Sequence, residues 1–213
     1  MKLPKLPHWK KIPTWAWVVG GVVLLGTGEV VREEVTQPST PPKGPPGPPG
    51  VQFGAVLTPA SASDVAAAIV AGLKSMGRPI VRQESWLFPL AVSRLETAQW
   101  KKMWNNNAGN VSAWDRKKQD WFINPEVHER DSSGNEVVHY FRSFATLTDG
   151  ARAMLGAINR HGGLNPADAG DLAGFQAAMT KYLGNKDANG NLVPYPDLSG
   201  IVASLRGTVV DVA

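Results

Sequence analysis

A proline- and glycine-rich stretch at residues 35–54, VTQPSTPPKGPPGPPGVQFG, constrains the fold of this chain most. Such a composition cannot bury a hydrophobic core and favours the extended polyproline II conformation. The spacing of Gly44, Gly47 and Gly50 imitates a collagen repeat, but so few triplets do not sustain a triple helix. We therefore predict a stiff linker over residues 32–55, with a short trimerising collar as the alternative.

The segment before the linker has the pattern of a membrane anchor. Residues 1–12 carry four lysines and no acid, and the run PTWAWVVGGVVLLGTG at residues 13–28 carries no charge. A run of about 17 apolar residues just spans a bilayer core, and the lysines predict that the basic segment stays in the cytoplasm. We predict one transmembrane helix over residues 13–31, in a bacterial inner membrane or a virion membrane. A cleaved signal peptide is the alternative, although no A-x-A cleavage site is present.

The sequence after the linker predicts one helical domain over residues 56–207, followed by a tail at 208–213. Apolar residues recur there at helical spacing in five segments. Between the second and third of these segments, the stretch INPEVHERDSSGNEVVHYFRSF predicts two short strands around the turn DSSGN. The expected fold class is therefore mainly α with a small β-hairpin lobe. The five helical segments lie at 61–79, 89–104, 148–163, 170–184 and 196–207.

Composition narrows the possible chemistry without selecting one function. The chain has no cysteine, which excludes disulfides and thiolate chemistry, and its net charge of +4 favours anionic partners such as nucleic acid, anionic lipid or a cell wall. The four histidines are scattered and form no H-E-x-x-H motif, and the calcium-like loop at residues 185–196 lacks the acid at its twelfth position. We expect no metal, no cofactor and no nucleic acid partner; the oligomeric state stays open.

The most unusual stretch is LETAQWKKMWNNNAGNV at residues 95–111, in which Glu96 is the one carboxylate. On a helix, Glu96 lies on or beside an apolar stripe, where a carboxyl can stay protonated and donate a proton to a glycosidic oxygen. Trp100 and Trp104 offer flat faces for sugars, and the asparagines offer amides for hydroxyl and N-acetyl groups. The alternative is a solvated helix acid with core tryptophans and an asparagine turn.

Several motifs in order resemble the glucosaminidase-type peptidoglycan hydrolases of glycoside hydrolase family 73, which include the flagellar muramidase-like domain and many phage-encoded enzymes. These motifs are LETAQW, NNNAG, VHERD, YFRSF and the late stretch around KYLG, and the resemblance covers residues 64–206. It implies a lysozyme-like α+β fold. It also implies that Glu96 is the catalytic acid and that Glu129 is the second carboxylate.

The remaining motif positions match less completely. Asn106 and Gly109 match the N-N-x-x-G turn, and Tyr182 matches the first position of a late tyrosine motif. Phe144 stands where the family commonly has tyrosine, and Leu183 and Gly184 depart from the rest of the late motif. Other candidate acids for the second role are Glu126, Asp131 and Glu136, with Glu84 ranked below Glu96.

The sequence thus predicts a membrane-anchored hydrolase of peptidoglycan strands, on the wall-facing side of its membrane, for phage entry or lysis. The alternative is a catalytically inactive wall-binding or structural virion or envelope protein. The bond cut and the choice between hydrolysis and transglycosylation stay open. The residues predicted to bind sugar are Trp100, Trp104, Asn106, Asn107 and Tyr182.

Overall fold

A computed structural model describes residues 16–19, 22–25, 50–125, 129–130, 136–183 and 191–211 of the chain, and the side chains of 50–125, 138–182 and 191–211. The fold is mainly helical with short antiparallel strand pairs, as predicted. The helices are α1 (Ala62–Ser75), α2 (Glu84–Glu96), α3 (Leu147–Arg160), α4 (Leu164–Ala169), α5 (Leu172–Leu183) and α6 (Ser199–Leu205). The strands are β1 (Ala16–Val19), β2 (Val22–Leu25), β3 (Trp121–Ile123), β4 (Glu129–Arg130), β5 (Glu136–Val137) and β6 (Tyr140–Arg142).

Helices α1 and α3 form the regular part of the core. Ser61 and Asp64 cap α1 reciprocally, which satisfies backbone N–H groups that the first turn leaves free. The two helices approach closely at Gly72, where a Cβ atom would lie 2.9 Å from the Leu155 side chain. The five helical segments predicted from periodicity all contain helices, whereas α4 was not predicted.

Helix α2 is the central helix, since every residue from Ser85 to Ser93 is buried. Its predicted extent, residues 89–104, was wrong at both ends. The helix begins at Glu84, carries Pro89 inside it and ends at Glu96. The three residues at 98–100 adopt left-handed backbone angles, which no right-handed helix can continue. Glu96 is therefore the last residue of α2, and Gln99 and Met103 do not continue its face.

The predicted β-hairpin lobe is present. Strand β3 pairs antiparallel with β6, with Phe122 opposite Phe141, and farther out β4 pairs with β5, with Glu129 opposite Val137. Phe122 and Phe141 are both buried, with ring centroids 5.9 Å apart, and they anchor the base of the lobe. The hairpin thus joins α2 to α3 through a lobe that has its own small apolar base.

The domain begins earlier than residue 56. Residues 50–58 run along the hairpin base and the segment after α2, with Phe53 N donating to Trp121 O (2.8 Å) and Thr58 N donating to Met103 O (2.8 Å). A Cβ atom at Gly50 would collide with the Gln119 carbonyl, so glycine is required at that contact. The predicted linker end, residues 50–55, therefore belongs to the folded domain, because its backbone hydrogen bonds are made there.

The predicted transmembrane segment is described only at two short stretches. Ala16–Val19 and Val22–Leu25 form an antiparallel strand pair and not the predicted helix, which agrees with the preference of the β-branched valines for extended backbone. In the part of the chain that the structure describes, no helix has both the length and the apolar character needed to cross a bilayer. The rest of the predicted span, and linker residues 32–49, lie outside the described residues.

Candidate active site

The segment that follows α2 is built from unusual backbone. Among the residues that the structure describes, six other than glycine have positive φ, and all six lie between positions 98 and 110. Left-handed backbone costs about 1–2 kcal/mol for an ordinary L-residue, while asparagine tolerates it better than most. Such conformations cluster at functional sites, where the surrounding structure holds them in place. The six residues are Ala98, Gln99, Trp100, Asn105, Asn106 and Asn110.

The asparagine side chains hold this segment together. Asn107 is fully buried; its amide nitrogen donates to the carbonyls of Val111 and Arg142 (3.0 Å each), and its oxygen accepts from Val111 N (2.8 Å). Asn105 accepts from Val56 N and donates to Gly54 O, so it fastens the start of the domain. Both side chains therefore bond to backbone groups within the domain and have little capacity left for a ligand.

Asn110 connects the same segment to α2. Its side-chain amide donates to the backbone carbonyl of Glu96, one of the last carbonyls of α2, which lacks a partner within the helix. This hydrogen bond fixes the end of the helix and therefore the position of the Glu96 side chain. The run of asparagines thus forms the scaffold that ends α2 at the acid.

Glu96 is partly buried and keeps some exposure to solvent. Burial raises its pKa from 4.5 to about 7, and the hydrogen bond that Tyr195 Oη donates to Glu96 Oε1 (2.9 Å) opposes part of that rise. The negative end of the α2 dipole also disfavours a carboxylate at this position. Near neutral pH, Glu96 is therefore divided between the acid and the carboxylate, which is the condition that a general acid needs.

Two tyrosines flank the acid. Tyr195 is 4% exposed, and burial together with the charge of Glu96 raises its pKa well above the usual value. Tyr182 on α5 donates from Oη to the Gly109 carbonyl (3.3 Å), and burial and the Glu96 charge raise its pKa as well. Both phenols therefore remain protonated donors at neutral pH. The predicted role of Tyr182 in binding sugar stays a prediction.

Tyr195 was missed by the sequence reasoning. It lies in the stretch NLVPYPD, most of which belongs to the calcium-like loop at residues 185–196. The Thr180 hydroxyl accepts from Tyr195 N (2.9 Å) and so ties that stretch to α5. A tyrosine between two prolines was the one available signal, because the prolines limit the backbone and give the ring a defined direction.

The tryptophans predicted as sugar platforms do not fit that role equally. Trp100 is 6% exposed and packs in the core, with its Nε1 donating to Ser93 Oγ (3.1 Å), so its ring presents no open face to a sugar. Trp104 is half-buried, its indole nitrogen is buried, and its backbone bridges to Leu57. The platform prediction is wrong for Trp100, because the chain turns left-handed after Glu96 and directs that ring into the core.

The two asparagines predicted to bind sugar, Asn106 and Asn107, also differ in their exposure to solvent. Asn107 has no exposed surface, so its predicted contact with sugar is wrong. Asn106 is half-buried, and its amide nitrogen donates to the Phe144 carbonyl (3.1 Å). It lines a cavity of about 270 Å³ together with Thr58 and Phe144, and Glu96 is not part of the lining of that cavity. Asn106 thus lines a cavity that does not include Glu96.

Of the other candidate acids, Glu84 alone has its side chain in the described part of the structure. Glu129 lies in β4 toward the outer end of the hairpin, and its side chain is outside the described part of the structure, as are those of Glu126, Asp131 and Glu136. Glu84 is the first residue of α2 and pairs with Arg206 (3.0 Å), twelve positions from Glu96 along the same helix. Among the described residues, no three histidine or acidic side chains are grouped so as to hold a metal ion.

Comparisons with protein-family models, with curated proteins and with solved structures find no match to this chain. The candidate site therefore depends on its own geometry. Its elements are a carboxyl with a raised pKa at the end of a buried helix, two protonated tyrosines beside it, and a left-handed segment that fixes its position.

Proposed function

We propose that this protein cleaves the glycan strands of peptidoglycan and that Glu96 is the general acid. The observation that carries the proposal is the state of Glu96, which is partly buried, has a pKa raised to about 7 by desolvation and keeps some access to solvent. A carboxyl of this kind can protonate the oxygen of a leaving sugar near neutral pH. The ordered resemblance of LETAQW, NNNAG and YFRSF to wall hydrolases supplies the substrate class.

The reaction proceeds from the protonated form of Glu96. Its proton passes to the glycosidic oxygen, the bond from that oxygen to the anomeric carbon breaks, and positive charge develops on the sugar ring. A water molecule then adds to the anomeric carbon and gives its proton to a base. Glu129 on the hairpin, or the carboxylate left on Glu96, fills that role. Tyr195 donates to Glu96 Oε1 and so fixes the orientation of the carboxyl during the transfer.

One observation favours a second candidate, a wall-binding protein without catalysis. Within the described residues, no other carboxylate influences the pKa of Glu96; only its own desolvation and the Tyr195 hydrogen bond do so. A pair of carboxylates is the usual requirement for hydrolysis. If the hairpin supplies no partner acid, the same cleft would bind glycan without hydrolysing it, or would release anhydro sugars by intramolecular attack.

Attachment to a membrane is part of the same proposal. Four lysines precede an uncharged run at residues 13–28, a pattern typical of an anchor with its basic end in the cytoplasm. A two-stranded hairpin leaves backbone groups unpaired at its edges, and these groups are costly in lipid, so we propose that the segment becomes helical in a bilayer. Circular dichroism of a peptide of residues 1–34 in lipid vesicles tests this, and a spectrum that stays extended contradicts it.

The direct test compares the full-length protein with Glu96→Gln in detergent, each incubated with purified peptidoglycan. Glu84→Gln is the matched control, because it removes a carboxylate from the other end of the same helix. Released fragments are reduced with borohydride and identified by mass spectrometry. We expect Glu96→Gln to lower the rate about 100-fold or more. Glu84→Gln should leave the rate within about twofold, since the half-buried Glu84 side chain pairs with Arg206 at the opposite end of α2 from Glu96.

The fragments also separate the candidate functions. Reduced terminal sugars identify the bond that is cut, and anhydro ends indicate transglycosylation. Equal fragments from the wild type and Glu96→Gln would remove Glu96 from catalysis. An absence of fragments from a folded protein that still sediments with peptidoglycan would favour the wall-binding candidate.

A further inference from the structure

The start of the domain exposes an unusual concentration of apolar side chains. Among the described residues, four large apolar side chains with exposed surface lie within the seven positions 51–57, although the backbone of this stretch is bonded to the rest of the domain. Apolar side chains scattered singly over a surface are ordinary, whereas a local group of them is typical of a place where another molecule binds. The four residues are Val51, Phe53, Val56 and Leu57.

A cavity of about 270 Å³ opens at this stretch. Phe53 and Val56 belong to its lining and are 44% and 60% exposed, so its mouth is open to solvent. Phe144 adds a second aromatic ring to the lining. Because small-molecule sites begin at roughly 300 Å³, a cavity of this size suits a ligand of about one sugar ring.

Hydrogen bonds between three segments of the chain give the cavity its shape. The Asn105 side chain accepts from Val56 N (2.7 Å) and donates to Ser143 Oγ (3.1 Å), which joins the start of the domain to the residues after β6. The Asn106 side chain donates to the Phe144 carbonyl (3.1 Å). All five residues belong to the lining, so the cavity is formed before a ligand binds, and little conformational freedom is lost on binding.

The charges around the cavity favour a neutral ligand that carries a hydrogen-bond donor. Asp120 is the one charged residue that the described part of the chain contributes to the lining, and it disfavours an anion. Its Oδ1 accepts from Val51 N (3.0 Å), while a carboxylate has room for about four hydrogen bonds. A cation is disfavoured as well, because the Arg142 guanidinium already lies over the Phe144 ring, 4.7 Å from the ring centroid.

We propose that this cavity is a subsite for an N-acetylated sugar residue of the glycan strand. The inference rests on the proposed function and adds to it a contact away from Glu96, which is not part of the lining. An acetamido group combines an apolar methyl with an amide N–H. The methyl packs against the rings of Phe53 and Phe144, and the N–H donates to the Asp120 carboxylate.

Two neutral tetrasaccharides test the contact with the acetamido group. Chitotetraose carries an N-acetyl group on every sugar, and cellotetraose has the same length and carries none. Binding of each is measured by calorimetry with the full-length Glu96→Gln protein in detergent, so that neither ligand is cleaved. We expect chitotetraose to bind about tenfold more tightly than cellotetraose.

Variants of the lining in that background locate the preference. Phe53→Ala removes a ring at the mouth and is expected to lower the affinity for chitotetraose about tenfold and to leave cellotetraose unchanged, whereas Phe53→Tyr keeps the ring and should stay within about threefold. Asp120→Asn keeps an oxygen for Val51 N and removes the charge, so we expect a severalfold loss for chitotetraose.

Leu57→Ala is the matched control. Leu57 is 46% exposed in the same stretch as Phe53 and lies outside the lining of the cavity. We expect its substitution to change both affinities by less than about twofold, since an exposed side chain away from the contact contributes little. Circular dichroism of each variant verifies that the protein is folded.

The outcomes separate the subsite from the proposed function. Equal affinity for the two tetrasaccharides, or equal effects of Phe53→Ala and Leu57→Ala, would overturn the subsite, as would a folded protein that binds neither ligand. The peptidoglycan digest then decides the proposed cleavage separately. A chitotetraose preference that Phe53→Ala removes, in a protein whose wild type releases no fragments from peptidoglycan, would support the subsite and contradict the cleavage.

Discussion

The α1–α3 pair and the segment at residues 97–110 are held together by opposite means. Helices α1 and α3 have regular backbone, a capped start and a stripe of fully buried apolar side chains such as Ile69 and Leu155. The segment after α2 has six left-handed residues and is held by asparagine side chains bonded to backbone groups. One region is stabilised by apolar burial, and the other by polar satisfaction of a strained backbone.

This difference explains where the candidate site lies. A regular helix can place a carboxyl on its side, but the carboxyl of Glu96 lies at the end of a buried helix, where the backbone must turn away at once. The left-handed turn leaves Glu96 between the core and solvent, and the tyrosines of α5 and of the stretch after it close around it. The strain in residues 97–110 is thus connected with the raised pKa of Glu96.

Among the substitutions considered, Asn107→Ala should destabilise the segment at residues 97–110 most. The substitution leaves the backbone N–H of Val111 and the carbonyl of Arg142 without the side chain that bonds them, while the Val111 carbonyl loses one donor and keeps the Arg142 N–H (2.9 Å). Because Asn107 has no solvent exposure, we expect a loss of about 3 kcal/mol in the free energy of unfolding. Asn106→Gly is the control, since that side chain is half-buried and glycine tolerates the left-handed backbone at this position, and its loss should stay below about 1 kcal/mol. Urea denaturation measures both. Equal losses of stability in the two variants would show that the hydrogen bonds of Asn107 to the backbone are not what stabilises this segment.

Glu96→Gln should stabilise the protein at alkaline pH. The pKa of Glu96 is about 7 in the folded chain, above its ordinary value of 4.5, so folding becomes less favourable as the pH rises from about 4.5 to about 7 and stays so above that range. We expect the variant to be about 1–3 kcal/mol more stable than the wild type at pH 8. The gain should vanish near pH 4. A gain that does not depend on pH would mean that ionisation of Glu96 is not its cause.

Glycine substitutions should change the free energy of unfolding in opposite directions in the two regions. Gln99 is exposed with a φ of 60°, and Gln99→Gly removes the steric cost of that backbone, so we expect a gain of up to about 1 kcal/mol. Ala67 is exposed on α1, and Ala67→Gly should cost about 1 kcal/mol there. Thermal unfolding of the two variants measures the contrast. A loss at both positions would argue against left-handed strain at Gln99.

Tyr195→Phe should have the smallest effect of these substitutions, and the effect should appear as a shift in the pH dependence of kcat. The substitution removes the hydroxyl that donates to Glu96 Oε1, and because that bond lowers the pKa of Glu96, the pKa should move further upward. The alkaline limb of kcat should therefore shift to higher pH. Tyr182→Phe is the control, because its hydroxyl donates to the Gly109 carbonyl, and its limb should move less. A limb that moves down for Tyr195→Phe would contradict this account.

Much of the regular structure could be predicted from the sequence. The periodicity of Ala66, Ile69 and Leu73, with Ser61 before them, correctly predicted α1, and the two strand-like runs on either side of the turn DSSGN correctly predicted the hairpin. These signals are local, because helix and strand periods and capping residues act within a few positions. The same periodicity, extended past Glu96, wrongly continued α2, since a helical pattern in the side chains says nothing about where the backbone must turn.

The positions of the site side chains and the charge state of Glu96 depend on contacts between distant parts of the chain, which no local sequence pattern contains. The sequence by itself identified Glu96 as a carboxyl on or beside an apolar stripe, and it determined the helical class of the domain. The tertiary structure decided that Asn107 is scaffold, that Trp100 is core and that Tyr195, ninety-nine positions away, donates to Glu96. Desolvation by distant parts of the chain raises the pKa of Glu96, and only the folded arrangement creates that environment.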